Sequence, residues 1–238
     1  MARESILLDR FRPPVPPPPL AWPTLVDAFE AACLLRCAPA PVDPGRRRCA
    51  EPRPTGPAEF NRQEAAHRMW QLLDRLDVPV RHEVAVGGLR RRYELHRLWV
   101  PDGHRHRYLT LLAAGWHQGR RELLGGPAPG ASNTRRTGRS RLAGAAWRSA
   151  LLAGGRHVRR HILGVRLADR DLAAVLIRSA ALLDVPALLR PGAGCFVVSV
   201  ADGPDRDRIL AHTTLPAGSV DPTGRPTGPA HPAGRPTG

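Results

Sequence analysis

The chain contains no lysine: all 36 of its permanently basic side chains are arginine. Against 21 acidic side chains they leave a formal charge of +15 at pH 7, and the isoelectric point is near 11.5. A guanidinium fork grips phosphates and base edges bidentately, so this balance favours an anionic partner. A GC-rich genome also inflates arginine, together with alanine, glycine and proline, and accounts for part of the excess. Cysteine is scarce. Cys33, Cys37, Cys49 and Cys195 form no secreted-disulfide pattern and read as free thiols of a reducing compartment. Cys33 and Cys37 stand one helical turn apart, but no recognisable zinc-ligand spacing accompanies them. Long apolar runs are also missing. None approaches the ~20 residues of a membrane span, and Asp9-Arg10-Phe11-Arg12 with the following prolines interrupts any signal-peptide core. The expected place is the cytoplasm, with nucleoid association compatible with the charge. No glycine loop that cradles phosphate before a helix is present, nor a nucleophile elbow, and no cofactor is expected.

What is present is organised around a short helical stretch, Gly144 to Gly155. Ser140 is expected to cap it, and Gly154-Gly155 to end it with a left-handed C-cap. Ala146, Ala150 and Ala153 share a face, with Trp147 and Leu151 beside them. A face of small residues admits a second helix at close range. Leu25 to Leu35 is the natural partner, opened by Thr24 with Asp27 as a near capping box, and striped by Ala28, Ala32 and Leu35.

Landmarks recur after both stretches in the same order. Ala31-Ala32 answers to Ala145-Ala146, Leu76-Asp77-Val78-Pro79 to Leu183-Asp184-Val185-Pro186, and Asp102-Gly103 to Asp202-Gly203, at slowly shrinking separations. The chain reads as an internal duplication of a helix-and-strand unit.

That layout, carried by Ala145-Ala146-Trp147-Arg148 with Leu152-Ala153-Gly154-Gly155, by Glu30-Ala31-Ala32-Cys33-Leu34-Leu35-Arg36, and by Gly87-Gly88-Leu89-Arg90, resembles the WhiA family of sporulation regulators. Those proteins carry a degenerate LAGLIDADG homing-endonuclease-like domain. The resemblance runs from about Thr24 to Leu210 at low identity. It implies an α+β class: a pseudo-symmetric two-repeat domain with two packed core helices over small antiparallel sheets. It also implies a C-terminal helix-turn-helix, for which this chain leaves no room. Active nucleases of that fold place one carboxylate at the end of each paired helix to hold divalent cations. The matching positions here are Leu152 and Gly154 in the second helix, and Pro39, Ala38 or Ala40 in the first. None is acidic, and Asp43 lies too far along. The expectation is a non-catalytic DNA-binding or transcription-regulatory protein with no metal. The alternative is a protein–protein interaction module that holds a transcription or sigma factor. Residual nuclease activity ranks last.

The implied organisation is a disordered proline-rich leader (1–23), a first repeat (24–115), a basic linker (116–141), a second repeat (142–214) and a disordered Pro/Thr/Gly tail (215–238). In the first repeat, prolines between 39 and 57 argue for a degraded or missing hairpin at 41–60. Asn61 should cap a helix to Leu76, Val78–Val86 and Tyr93–Val100 should pair across Gly87-Gly88, and a short helix should follow near Tyr108–Ala114. In the second, Arg159–Leu167 reads as one strand, and Asp169 should cap the next helix. Ala187–Arg190 and Cys195–Val200 should form a hairpin turning at Pro191-Gly192, and Asp202 should cap a last helix. In this fold DNA lies on the sheets. The candidate contacts are therefore Arg90, Arg91, Arg92 and Arg97 in the first repeat, with Arg159, Arg160, Arg166 and Arg190 in the second. Solvated edge charges that discourage aggregation are the plainer account of any single one.

Overall fold

The computed structural model describes residues 18–38, 56–87, 93–126, 132–159 and 162–214. The leader up to residue 17, the tail from 215, and the segment 39–55 that contains Cys49 lie outside the described residues. The first half comprises α1 (Trp22–Cys37), β1 (Ala58–Phe60), α2 (Gln63–Arg75), β2 (Arg81–Gly87), β3 (Tyr93–Trp99) and α3 (Asp102–Leu124). The second comprises α4 (Asn133–Ala153), β4 (Gly155–Arg159), β5 (Ile162–Leu167), α5 (Arg170–Leu182), β6 (Ala187–Gly192), β7 (Cys195–Ala201) and α6 (Pro204–Thr213). Two small antiparallel sheets result, ordered β1-β3-β2 and β4-β5-β7-β6. One hydrophobic core runs through both halves, with Phe29, Met69, Trp147, Leu142 and Leu176 fully buried in it.

The two expected core helices do pack together. Ser149 on α4 donates to the Glu30 carbonyl of α1 at 3.1 Å. Ala28, Ala31, Ala145, Ala146 and Ala150 are all fully buried. Helix α1 is central, because α3 closes on its other side. A Cβ on Gly115 would sit 2.6 Å from the Ala28 carbonyl carbon, and one on Gly119 2.3 Å from the Phe29 ring. Glycine lets the α3 backbone meet the α1 backbone at Gly115 and seat the Phe29 ring at Gly119.

Several local expectations need correction. The sequence predicts a linker over 116–141 and a short helix before it; instead α3 spans 23 residues to Leu124 and α4 begins at Asn133. The glycines there serve close packing and do not break the helix. The first turns of α4 are too polar to show an apolar period. Ser132, not Ser140, is its N-cap and accepts from the Arg135 amide at 3.4 Å; Ser140 bonds back to Arg136. Neither Thr24 nor Asn61 caps a helix: Ala21 and Arg62 hold those positions without a side-chain bond, and Pro23 sets the first turn of α1. Gly154 is extended, not left-handed, at φ −72°; a Cβ there would meet the Ala150 oxygen at 2.5 Å. The Arg159–Leu167 run is two strands, since Arg159 pairs with Ile162; no glycine or proline marks the reversal. The β6–β7 turn falls at Ala193-Gly194, where Gly194 takes φ +67°. Gly203 at φ 90° is the N-cap of α6, and Asp202 pairs with Arg206. Of the 41–60 hairpin, β1 is present and pairs with β3. Asp169 caps α5 as expected, accepting from Asp171 and Leu172 amides at 2.8 and 3.0 Å.

The repeated Leu-Asp-Val-Pro is a helix stop built twice. Asp77 and Asp184 are left-handed at φ 52° and 55°. The next amides, Val78 and Val185, reach back to the Leu73 and Ala180 carbonyls at 2.9 Å each. This is the Schellman arrangement, with the valine at 2% exposure packing inward and the proline barring continuation.

Gly115→Ala should destabilise the protein by about 1–3 kcal/mol through overpacking, despite alanine's better helix propensity. Urea denaturation checks this; an unchanged midpoint would mean that α3 and α1 are less closely seated.

Candidate nucleic-acid interface

Charged side chains inside a packed core demand partners. Glu30, in the middle of α1, is fully buried. Two arginines grip it. Arg68 on α2 donates from Nε and Nη2 to its two carboxylate oxygens at 2.6 and 2.8 Å. Arg148 on α4 does the same at 2.7 and 2.8 Å. Each oxygen therefore accepts two charge-assisted bonds, one from each half of the molecule. Burial alone would raise the Glu30 pKa, but the hydrogen bonds and charges of Arg68 and Arg148 outweigh it and hold the carboxyl below its usual range. Arg148 extends the link to α6 through the Thr213 carbonyl at 3.0 Å.

The ends of the paired helices are where nuclease carboxylates would stand. In this protein guanidinium groups occupy the neighbourhood. Arg62, at the start of α2, donates to the Leu151 and Leu152 carbonyls at 3.4 and 3.2 Å, closing the C-terminus of α4. Arg36, in the last turn of α1, pairs with Asp169 at the start of α5 and lies 3.9 Å above the Trp116 ring. Both cations complement helix C-termini, whose unpaired carbonyls carry partial negative charge. Leu152, Gly154 and Ala38 carry no oxygen acid, and Pro39, Ala40 and Asp43 lie outside the described residues. Among the described residues, no three His, Cys, Asp or Glu side chains gather as metal ligands. The Cys33 thiol is pushed well up by burial, so it stays protonated.

The two sheets differ sharply on the faces that point away from the helices. On the first sheet, Glu59 stands opposite Arg97, and Arg97 stands opposite Glu83. Arg97 Nε donates to Glu59 at 2.8 Å. Glu83 accepts from Trp99 Nε1 at 2.8 Å and from Arg81 at 3.0 Å. That face carries Arg81 and Arg97 against Glu59 and Glu83, while Glu94 stands on the other face beside His96. On the second sheet, Arg166 and Arg190 both stand opposite Val197, from either side. Both are exposed, and its four strands hold four arginines and no acid.

Of the eight candidate arginines, the structure thus brings Arg166 and Arg190 together across Val197 and ties Arg97 to a glutamate. Arg159 is placed in β4 by its pairing with Ile162. Arg90, Arg91, Arg92 and Arg160 lie outside the described residues. Sequence reasoning missed the roles of Arg36, Arg62, Arg68 and Glu30. Glu30 carried a signal, a carboxylate on an otherwise apolar helix face; its partners carried none.

Compared with solved structures, the chain is similar to full-length DUF199/WhiA from Thermatoga maritima, with a TM-score of 0.53 and 13% identity over 82% of this chain. It spans 57% of that protein's length, a little over half. It is also similar to the N-terminal LAGLIDADG domain of DUF199/WhiA (TM-score 0.49, 12% identity, 83% of this chain and 88% of that one). A further likeness is to I-DmoI in complex with DNA and Mn (TM-score 0.46, 18% identity, 80% and 96%). No protein-family model and no curated protein sequence matches the chain. The fold is a WhiA-like, LAGLIDADG-like α+β domain.

Glu30→Gln would leave two nearly buried guanidinium groups without a counter-charge and should cost about 3–5 kcal/mol. Because the folded Glu30 pKa is depressed, its stabilisation is fully present above the unfolded value of about 4.5 and is lost as pH falls through the folded value. Denaturation midpoints measured from pH 7 downward should therefore fall for the wild type below pH 4.5 more steeply than for Glu30→Gln; parallel curves would refute the assignment.

Proposed function

We propose that this protein is a non-catalytic DNA-binding protein of the WhiA-like kind, acting in transcription regulation. The observation that carries the reading is the second sheet, whose four strands hold four arginines and no acid, with Arg190 exposed on it as a donor to a polyanion. The arginine-only charge of the whole chain points the same way. Guanidinium groups at the ends of both paired helices support the non-catalytic part. Divalent cations are recruited by anionic oxygens and repelled by fixed positive charge, so Arg62 disfavours a metal at the end of α4, and at the end of α1 the Asp169 carboxylate is already engaged by Arg36.

Fluorescence anisotropy with a mixed-sequence duplex at several salt concentrations tests the binding. Affinity should be measurable at low salt and fall linearly on a log–log plot, with a slope near −0.9 for each phosphate contacted. Absence of binding at low salt would end the DNA reading. Supercoiled plasmid incubated with magnesium or manganese should stay intact, and nicking that requires this protein would overturn the non-catalytic part.

A protein partner, such as a transcription or sigma factor, is favoured by one separate observation. Strand β2 is a sheet edge, and its Val84 and Val86 are 57% and 71% exposed on the side facing the helices. An open edge with apolar side chains accepts an added strand. Co-purification of such a factor that survives nuclease treatment and is lost in a Val86→Lys variant supports this reading; loss on nuclease treatment opposes it.

A further inference from the structure

Thr134, Thr137, Gly138 and Arg141 follow one another at helical spacing along one face of α4. Further along that face α6 covers the helix: a Cβ on Gly144 would strike the His212 carbonyl, and Arg148 holds the Thr213 carbonyl. Helix α6 ends there, and Thr134, Thr137 and Arg141 are exposed. Trp22 and Val26, one turn apart on α1, form the facing wall of a cleft. Its volume of about 400 Å³ is within the range of small-molecule sites.

We infer that this cleft is a binding site for a small aromatic anion of mononucleotide size, held by Trp22 and Arg141. The inference does not rest on the DNA-binding reading. Thr137 and Leu152 are fifteen residues apart on α4, about 22 Å at the rise of an α-helix. The cleft is therefore remote from the helix end that Arg62 closes.

The chemistry of the walls names the ligand. Trp22 is half-buried. A Cβ on Gly138 would lie 2.5 Å from its ring, so glycine lets the indole rest against the α4 backbone. Seated in this way, the indole offers a planar ligand a surface that needs little further ordering. Arg141 supplies the charge. Three other arginines of α4 are engaged: Arg135 by Glu122, Arg139 by the Gly125 carbonyl and Arg148 by Glu30. Arg141 is exposed and makes no hydrogen bond or ion pair among the described residues. Helix α4 contains no acid, and Asp27, next to Val26 in the chain, is held by Arg75 at 2.8 and 2.9 Å. An anion entering the cleft thus meets an open fork and no opposing carboxylate on its walls. Asn133 and the two threonine hydroxyls add neutral donors and acceptors suited to a sugar or a base edge.

Isothermal titration calorimetry on the full chain tests this with adenosine 5′-monophosphate, indole-3-acetate, adenosine and inorganic phosphate. At least one of the two aromatic anions should saturate a single site, with a dissociation constant on the order of 10–100 µM. The tighter of them tells whether the anion is a phosphate or a carboxylate, and failure of both to saturate at millimolar concentration overturns the proposal. Adenosine and inorganic phosphate each carry half of the recognised chemistry and should bind about tenfold more weakly or not at all; either one binding as tightly as the aromatic anion overturns it. R141Q alters an exposed side chain without a partner, so its denaturation midpoint should be unchanged while affinity falls about tenfold. Unchanged affinity in R141Q overturns the assignment. W22L should also weaken binding, and where it fails to fold R141Q decides. Displacement of the bound anion by a mixed-sequence duplex would make the cleft part of a polyanion surface and overturn a mononucleotide site. A chain that binds the anion but no DNA would remove the DNA reading and leave this one standing.

Discussion

A single buried carboxylate sets the terms for the rest of the molecule. Glu30 has no contact with water, and a carboxylate in that position is tolerated only while every oxygen lone pair is met by a charged donor. Arg68 and Arg148 meet that requirement from opposite halves of the chain, so α1, α2 and α4 cannot shift independently. Apolar side chains of the same volume would fill the space with less desolvation. The ionic arrangement gives direction as well as contact, because a bidentate fork fixes the rotation of each helix. Arg148 also donates to the Thr213 carbonyl, which ties α6 to the same centre.

Around that centre the duplication is visible at the level of individual hydrogen bonds. Both second helices end with aspartate in the left-handed region, valine turned inward and proline barring the next turn. Both paired helices have an arginine close to their C-terminal ends, where an endonuclease of this fold would place its acids. The two arginines arrive by different routes. Arg36 belongs to the helix it ends and reaches across to Asp169, whereas Arg62 comes from the neighbouring α2. Similar electrostatic outcomes from unequal residues are what a duplication yields after its halves diverge. The sheets diverged furthest. One holds glutamates that pair with its own arginines, and the strands of the other hold no acid.

Much of this arrangement was legible in the chain. The alanine stripes announced the close helix pair, and the repeated Leu-Asp-Val-Pro announced the two halves. The α2, α5 and β6–β7 elements followed from apolar periodicity, and Asp169 was a readable cap. Where periodicity was silent, reading failed. The first turns of α4 face solvent with arginine, serine and threonine, and so looked like a linker. The β4–β5 reversal has no glycine or proline, and the nine residues Arg159–Leu167 passed for one strand. Glycines in α3 looked like breakers because their value lies in the neighbour they admit, Ala28 and Phe29, and not in their own conformation.

The class of fold, the pairing of its core helices, the helix stops and the sign of the charge were set by the order of residues along the chain. These depend on neighbours a few residues apart, where composition and spacing act directly. Which charges are paired, and with what, emerges from the folded arrangement of distant segments. Glu30 is 38 residues from Arg68 and 118 from Arg148, and Arg97 is 38 from Glu59. Whether an arginine binds a carboxylate or remains open to a phosphate depends on which distant segment folds against it. That is why Arg97, equal to the other candidates in the chain, proves to be held by Glu59 once the strands are paired.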